Sequence, residues 1–447
     1  MPTRRAFLGG VSASLVALPL RAQGDVPQRL LEARAAALRI APGGDADTAC
    51  LTYDGVIPGP LLRAKQGEDV LLRLVNKLDQ PTSLHWHGLR AQNAADGVAG
   101  LTQAPVAPGA SFDYRFKAQD AGLFLYQPCG VANVVEQRAR GMAGVLIVDE
   151  ANPPEVDNDL LLVFQDWGLD SKGGFSGAFA DPAAAAGAGR IGDHITVNAK
   201  AAPLTQRLAP GARARLRLVN ACAARIMIFT FEGATPKCFA IDGQACDPFE
   251  LVRNTVPVAP GARFELMLDM PAEEGAQVRL GVWNGAGAAL RPVAAFKAQG
   301  ARVKERGPFA GVAANAHLPP EIKLDRAKKT ELSIEPPEAP GGRWTFNGEP
   351  RGFSGKPLFS VKRGAALSFG FANKSEAALS LHIHGHAMRL LHDLDDGWEP
   401  YWRNSVIVPK GARKHVALLA DTPGKWALRC DIADHEQAGL ATWFEVV

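Results

Sequence analysis

Short runs in which apolar and polar residues alternate recur along the whole chain, and each follows a tight turn. Such alternation predicts β-strands with one buried face, and the Gly and Pro residues before each run supply the turns. A first phrase reads QGEDVLLRLVNK (66–77), APGARARLRLVNA (209–221) and KRGAALSFGFANK (362–374). A second phrase reads APGASFDYRF (107–116), APGARFELML (259–268) and PKGARKHVAL (409–418).

These two phrases occur as a pair three times, in roughly the first, middle and last thirds of the chain. Turn-and-strand phrases are common in β proteins, so chance resemblance is the alternative explanation. The constant order of the phrases argues against chance, as does the Asn that closes each first phrase (Asn76, Asn220 and Asn373). The repeat therefore predicts three related β-sandwich domains.

Length and composition agree with this architecture. A chain of 447 residues is too long for one ordinary core, and its 46 glycines and 32 prolines favour a turn-rich β fold. Residues 28–40 have a helix-forming composition, yet we expect a leading strand there. Residues 170–190 read as a surface excursion of the middle domain, and the stretch from Lys297 to Pro340 reads as the linker to the last domain.

The chain begins with the features of an export signal. Arg4 and Arg5 form a twin-arginine pattern before an apolar run, Val11 to Leu20, that is too short to span a membrane. Removal of residues 1–23 takes away three arginines and no acidic residue, so the formal charge falls from +3 to zero. A neutral mature chain has no general attraction to nucleic acid or to an anionic membrane, and we expect neither partner. The six cysteines are too few for a disulfide scaffold in so large a chain, although Cys238 and Cys246 could pair.

Five of the ten histidines lie in two short segments, SLHWHGLR and LSLHIHGHAM. In a strand, residues i and i+2 face the same side, so His85 and His87 present two neighbouring imidazoles, and His382 and His384 do the same. One such pair is often structural, but two pairs in the first and last domains indicate a metal site. Imidazole suits copper, zinc, iron or nickel, so the ligand type does not select the metal.

Several longer blocks carry a family resemblance that covers nearly the whole mature chain. YDGVIPGPLLRAKQGEDV, PTSLHWHGL, ADGVAGLTQAPVAPGASFDYRF, GMAGVLIVDE and LHIHGHAMRLL resemble blocks of the three-domain multicopper oxidases, the laccase-like family of cupredoxin repeats. The resemblance implies an all-β fold of three consecutive cupredoxin-like Greek-key β-sandwich domains. We expect these domains at residues 24–152, 153–305 and 306–447.

The resemblance also implies copper ligands. His85 and His382 correspond to the two type 2 ligands of the family, and His87 and His384 correspond to type 3 ligands. A type 1 histidine is expected three residues before His382, where this chain has Leu379. His386 follows the pair at a position that usually orients a ligand.

The other two ligand blocks of the family are altered. In FLYQPCG, Gln127 and Cys129 stand where the family has a His-X-His pair, and Cys129 is either an extra ligand or a packing residue. In LRCDIADHEQAGL, Arg429, Cys430 and Asp431 stand where the family has His-Cys-His. His435 stands at the position of the family's further His, and Leu440 at the position of its axial residue.

These replacements change the expected chemistry. Arg429 and Asp431 share one face of their strand and Cys430 takes the other. The Arg429 guanidinium cannot deprotonate or ligate a metal, so a binuclear copper pair beside it is improbable. Asp431 could bind a metal or pair with an arginine. Without an imidazole at Leu379, Cys430 and His435 form a weakened type 1 site at most, and a buried structural thiol is an equal alternative.

Three functions remain open from the sequence. The first is a periplasmic, laccase-like copper oxidoreductase with fewer than four copper ions, bound at His85, His87, His382 and His384. The second is a copper-sequestering protein without turnover, and the third is a metal-free cupredoxin scaffold. The reducing substrate is a small molecule or a metal ion, and no sequence motif identifies it.

Overall fold

The computed structural model describes residues 28–40, 46–283, 289–304, 306–392 and 397–447. The export signal predicted at residues 1–23 lies outside these ranges. The described chain is built almost entirely of β-strands, which form two sheets in each third of the chain. This confirms the predicted all-β fold of three cupredoxin-like domains.

The first third contains two four-stranded sheets, with strand orders β2-β1-β4-β6 and β3-β8-β7-β5. Leu31 and Ala33 of β1 are fully buried, because the segment with helix-forming composition is an alternating strand that pairs with β2 and β4. The strands are β1 (Gln28–Leu38), β2 (Thr48–Tyr53), β3 (Gly59–Lys65), β4 (Asp69–Asn76), β5 (His85–His87), β6 (Ser111–Lys117), β7 (Gly122–Gln127) and β8 (Gly144–Asp149).

The middle third contains a seven-stranded sheet, β11-β10-β9-β13-β18-β15-β16, and a five-stranded sheet, β12-β20-β19-β14-β17. The strands are β9 (Asn158–Trp167), β10 (His194–Val197), β11 (Lys200–Ala201), β12 (Leu204–Leu208), β13 (Arg213–Asn220), β14 (Met227–Glu232), β15 (Lys237–Ile241), β16 (Gln244–Glu250), β17 (Thr255–Val258), β18 (Arg263–Asp269), β19 (Gln277–Val282) and β20 (Arg291–Ala298).

The last third contains a six-stranded sheet, β23-β22-β21-β25-β29-β27, and a five-stranded sheet, β24-β31-β30-β26-β28. The strands are β21 (Lys328–Glu335), β22 (Thr345–Phe346), β23 (Glu349–Pro350), β24 (Ser360–Val361), β25 (Ala365–Asn373), β26 (Leu379–Ile383), β27 (Met388–Leu390), β28 (Ser405–Val408), β29 (Arg413–Ala420), β30 (Gly424–Cys430) and β31 (Ala441–Val446).

Helices are short and lie between strands. The α-helices are α1 (Val134–Ala139), α2 (Pro182–Ala186) and α3 (Ala433–Gln437), and the 3-10 turns are Asn93–Ala95 and Val252–Asn254. None of the helices in the described part of the chain is long or apolar enough to cross a membrane.

The repeated phrases play the same structural role three times. Each first phrase becomes a strand that pairs antiparallel with the strand of its second phrase: β4 with β6, β13 with β18, and β25 with β29. The closing Asn then fixes the following loop, since its amide donates to two loop carbonyls and its oxygen accepts a backbone N–H. The repeated phrases therefore mark a structural repeat, and chance resemblance between them is excluded.

Two predicted connections need correction or refinement. The linker predicted from Lys297 to Pro340 is too wide, because β20 runs to Ala298 and β21 already belongs to a sheet of the last third. The excursion at 170–190 contains α2 and contacts the last third, since the carbonyl oxygens of Ala185 and Gly187 accept hydrogen bonds from Trp344 and His435.

Candidate metal centre

The two His-X-His segments meet in the interior. His85 and His87 occupy β5, at the edge of a first-third sheet, and His382 lies in β26 of the last third, with His384 directly after it. Alternation along β5 turns both imidazoles to one side, while Trp86 packs on the other side against aromatic residues of the first core.

The four imidazoles form one compact, buried cluster. The ring centroids of His85 and His384 are 4.0 Å apart, those of His87 and His382 are 3.9 Å apart, and those of His382 and His384 are 4.5 Å apart. None of these side chains is more than 1% exposed. The convergence expected from the sequence is therefore present in the structure.

Three of the rings are each held by a hydrogen bond on one nitrogen. Nδ1 of His85 donates to the Asp96 carbonyl oxygen at 2.7 Å, and Nδ1 of His382 donates to the Asn404 carbonyl oxygen at 2.7 Å. Nε2 of His87 lies 3.2 Å from the Ser405 hydroxyl. That hydroxyl donates to a carboxylate, so the imidazole is the donor in this contact.

The opposite nitrogens of these rings lack a hydrogen-bond partner among the described residues. They are Nε2 of His85, Nδ1 of His87 and Nε2 of His382, and the ligand atoms of these three residues lie within 4.8 Å of one another. Burial lowers the pKa of both His87 and His382 well below the ordinary value, and neighbouring cationic groups add to this effect. Three imidazoles that each keep one nitrogen free of hydrogen bonds can hold one metal ion.

The fourth histidine is different, because both of its nitrogens are already bonded. Nδ1 of His384 donates to the Asp96 carboxylate at 3.0 Å, and Nε2 accepts the Nε–H of Arg429 at 2.9 Å. A metal ion would have to displace the guanidinium before His384 could bind it.

Asp96 holds two of the four rings and was not singled out from the sequence. Its carboxylate contacts Nδ1 of His85 at 3.3 Å as well as His384. Burial alone would raise the pKa of Asp96, but these two contacts hold it below the ordinary value. The carboxylate is therefore charged and fixes the ring tautomers. Asp96 lies in the ADGVAG block quoted above, which is the only sequence signal that could have indicated it.

Arg429 is fully buried at the centre of an ion network. Its guanidinium lies 3.1 Å from the carboxylates of both Asp431 and Glu436. Glu436 also binds the guanidinium of Arg138 at 2.8 Å, and Arg138 donates to the Asp431 carbonyl oxygen at 3.0 Å. Glu436 of α3 and Arg138 of α1 thus hold Arg429 beside His384. Neither of these two residues was predicted from the sequence.

Asp431 lies on the cluster face of its strand, as predicted, and pairs with an arginine. One carboxylate oxygen accepts hydrogen bonds from the hydroxyls of Ser380 and Ser405, and the other lies 3.7 Å from Nδ1 of His87. Burial raises the pKa of Asp431 to about 6, although Arg429 opposes this shift.

Cys430 and His435 form a separate pair on the opposite face. The thiol lies 3.4 Å from Nδ1 of His435, whose Nε2 donates to the Gly187 carbonyl oxygen at 2.8 Å. Burial raises the pKa of the thiol to about 12 and lowers the pKa of the imidazole to about 4. Leu379 and Leu440 are fully buried in the same core. The pair is neutral, and no second imidazole accompanies it among the described residues, so it does not fit a trigonal type 1 copper site.

The remaining predicted positions surround the cluster. Gln127 is the cross-strand neighbour of His85, and its amide is a poor substitute for an imidazole ligand. Cys129 is buried between Val98 and Ala427, and burial raises the pKa of its thiol well above the ordinary value. His386 donates from Nδ1 to the His384 carbonyl oxygen at 2.8 Å. All six cysteines have free thiols, including Cys238 and Cys246.

Fold and site together define a class: an all-β protein of three cupredoxin-like domains, with a buried histidine cluster shared by the first and last. The sequence matches the family described as multicopper oxidase over residues 35–153 and again over 323–447. A solved multicopper oxidase from Pseudomonas thermotolerans is 31% identical, with a TM-score of 0.83 over 94% of this chain and 99% of that one.

Two curated relatives span most of the chain. Multicopper oxidase MmcO of Mycobacterium tuberculosis is 26% identical over 89% of this chain and 83% of its own length. Laccase-1 of Botryotinia fuckeliana is 26% identical over 88% of this chain and 78% of its own length. The chain belongs to the multicopper oxidase family, and membership implies that it binds copper.

Proposed function

We propose that this chain is an exported, laccase-like copper protein that binds fewer copper ions than the family's four. The observation that carries the proposal is the trio of buried imidazole nitrogens without hydrogen-bond partners, on His85, His87 and His382. Three imidazoles, each with one nitrogen free of hydrogen bonds, suit a single copper ion. Of the four histidines predicted as ligands, His384 joins the set only if Arg429 leaves it.

The chain's own residues prepare this site. The carbonyl oxygens of Asp96 and Asn404 and the Ser405 hydroxyl fix the ring tautomers, so one lone pair on each imidazole faces the centre. A bound copper ion would supply one-electron redox chemistry at this position. The three histidines are at most 1% exposed, so the site is closed to bulk water.

Replacement of the remaining ligands argues against the family's full reaction. Arg429 puts a permanent cation where further copper ions would need histidines, and Gln127 and Cys129 supply no imidazole. On the other face, Cys430 and His435 are hydrogen-bonded to each other and lack a third strong ligand. We infer that classical dioxygen reduction is weak or absent.

Export and domain limits are part of the same proposal. The twin-arginine pattern at Arg4 and Arg5 supports export to the periplasm as a folded protein. The proposed domains remain 24–152, 153–305 and 306–447, and the described sheets are compatible with these limits because each is built within one third of the chain.

A second candidate is a copper-sequestering or metal-free cupredoxin scaffold without turnover. The observation that favours it is the connected network from Arg138 through Glu436 and Arg429 to His384, in which each neighbouring pair is bonded without any metal. Such a network stabilises the contact between the first and last thirds by itself.

Copper loading distinguishes a protein with a reduced copper complement from a metal-free scaffold and from a full family site. The purified mature protein is loaded with Cu²⁺, dialysed, and analysed by metal mass spectrometry together with visible and EPR spectra. We expect about one copper per chain, an EPR signal without blue-copper character and no intense blue band. The double variant His85→Ala/His382→Ala should lose the ion, whereas His317→Ala, a more exposed histidine outside the cluster, should keep it.

Other outcomes reject the proposal. Several copper ions with an intense blue band would show a full family site. No copper in the wild-type protein would leave the scaffold function. Retention of copper by the double variant would place the ion elsewhere.

A further inference from the structure

A large cavity lies where two edge strands from different thirds of the chain face each other. β17 ends a sheet of the middle third and β28 ends a sheet of the last third, and the space between them measures about 620 Å³. That volume is within the range of small-molecule sites in proteins, about 300–1,000 Å³.

The side chains that line this cavity are apolar where strand alternation would place polar ones. In β14, Met227, Phe229 and Phe231 face the core, so Ile228 faces the cavity. In β28, Val406 and Val408 are core residues, and Ile407 points to the other side. Outward-facing isoleucines on β14 and on the edge strand β28 are typical of a binding surface rather than of a solvated sheet.

One wall of the cavity is aromatic and one margin is strained. The rings of Phe249 and Tyr401 stack with centroids 5.3 Å apart and an interplanar angle of 16°. At the margin, Val252 is 82% exposed, and the next two residues, Arg253 and Asn254, both have positive φ values of 55° and 53°. Such conformations cost free energy and concentrate at ligand-binding loops.

The charges around the cavity are already balanced. The Asp242 carboxylate accepts backbone N–H groups of Asn404 and Ser405. Arg403 pairs with Glu399, and Lys414 also has a partner. Because no charge of the described lining residues is left unpaired, a charged ligand would gain no counter-ion from them and would lose its hydration.

One hydrogen-bond donor in the lining remains unused. The Nε–H of Arg403 is buried and has no acceptor among the described residues, while the guanidinium lies 5.5 Å from the Tyr401 ring centroid. Because the Nε atom itself is covered, the side chain must turn before a ligand in the cavity can reach it. A buried donor without an acceptor costs free energy that a ligand with a matching acceptor would recover.

The geometry points to a binding site for a small, neutral, apolar ring compound that carries one hydrogen-bond acceptor, such as a carbonyl oxygen. Its ring would lie against Phe249, Tyr401 and Ile228, and its acceptor would take the Nε–H once the Arg403 side chain turns toward the cavity. Ser405 lines the inner end and contacts His87, so the ligand would lie one side chain from the histidine cluster. The site does not depend on the copper proposal.

The test uses metal-free full-length mature protein and three probes of similar shape: acetophenone, ethylbenzene and benzoate. Ligand-observed NMR titration gives the affinity of each. We expect acetophenone to bind about fivefold more tightly than ethylbenzene, which lacks the acceptor, and benzoate to bind more weakly than both. Equal or tighter binding of benzoate would overturn the neutral-ligand assignment, and no binding of any probe would overturn the site.

Variants locate the probe. Ile228→Trp and, independently, Ile407→Trp fill the cavity and should abolish binding, whereas Ile191→Trp, at an exposed position outside the lining, should not. Thermal unfolding verifies that each variant is folded. Unchanged binding in both folded cavity variants would contradict the site.

The donor is tested with a matched pair. Arg403→Met removes the Nε–H and should abolish the preference for acetophenone over ethylbenzene. Glu399→Gln removes the ion pair but keeps that donor, and should retain the preference. Equal behaviour of the two variants would overturn the role of Arg403.

Discussion

Replacement of Arg429 by methionine tests whether this residue limits metal binding at the histidine cluster. The substitution keeps much of the side-chain volume, removes the charge and frees Nε2 of His384, which accepts the Arg429 Nε–H at 2.9 Å. We expect tighter Cu²⁺ binding and a fourth imidazole in the ligand set.

The size of the effect follows from the charges. A guanidinium and a doubly charged Cu²⁺ ion about 4 Å apart would repel each other by about 8 kcal/mol at an effective dielectric constant of about 20. The carboxylates of Asp431 and Glu436, each 3.1 Å from Arg429, offset much of this repulsion. A remainder of about 1.4–2.8 kcal/mol corresponds to a roughly ten- to hundred-fold gain in affinity.

The assay is a competition titration of metal-free protein with Cu²⁺ and a chelator of known affinity. Arg138→Met is the matched control, because it removes a guanidinium from the same network without touching a histidine. Both variants leave buried carboxylates short of a partner, so each should be destabilised by about 3 kcal/mol. Equal affinity of wild type and a folded Arg429→Met variant would refute the reasoning.

Three further outcomes are expected. Asp96→Asn should weaken copper binding about 10- to 100-fold, because the carboxylate contacts the ligand ring of His85 and helps to orient it, and the same chelator titration measures this. Native protein at pH 8 should show no thiol labelling at Cys430, which is fully buried and has a pKa raised to about 12. The partly exposed Cys246 should react first, as mass mapping would show. Burial lowers the pKa of His435 to about 4, so the neutral imidazole favours the folded state above pH 6.5. About 3 kcal/mol of this stability should be lost between pH 6.5 and pH 4. Denaturant unfolding at each pH measures the slope, with His435→Gln as the control.

Each of these expectations has a contrary result. Unchanged affinity in Asp96→Asn would mean that the backbone carbonyl alone orients His85. Rapid labelling of Cys430 in the native state would mean that its face opens to solvent. An identical pH slope in wild type and His435→Gln would assign the acid sensitivity to the other buried histidines.

The fold was predictable because its signals are local and repeated. Alternation located the strands of both phrases, and the closing Asn residues marked three equivalent loops. The expected convergence of His85 and His382 came from the family resemblance, since spacing within one segment cannot determine which distant strand it meets. The linker limits were wrong because β21 begins directly after a polar stretch that resembles a loop.

Much of the site could not be predicted from the sequence, because its contacts also join distant parts of the chain. Asp96 lies in a loop, and nothing local indicates that both its carbonyl and its carboxylate reach imidazoles. Arg138 and Glu436 belong to short helices of different domains, so their pairing depends on domain packing. The cavity behind Ser405 exists only because two edge strands face each other.

The most direct test of the account is an anomalous difference map from crystals of the copper-loaded protein. We expect one strong copper peak bounded by His85, His87 and His382, with the Arg429 guanidinium still bonded to His384 and no peak at Cys430. Two or more peaks in the cluster, or one beside Cys430 and His435, would contradict it.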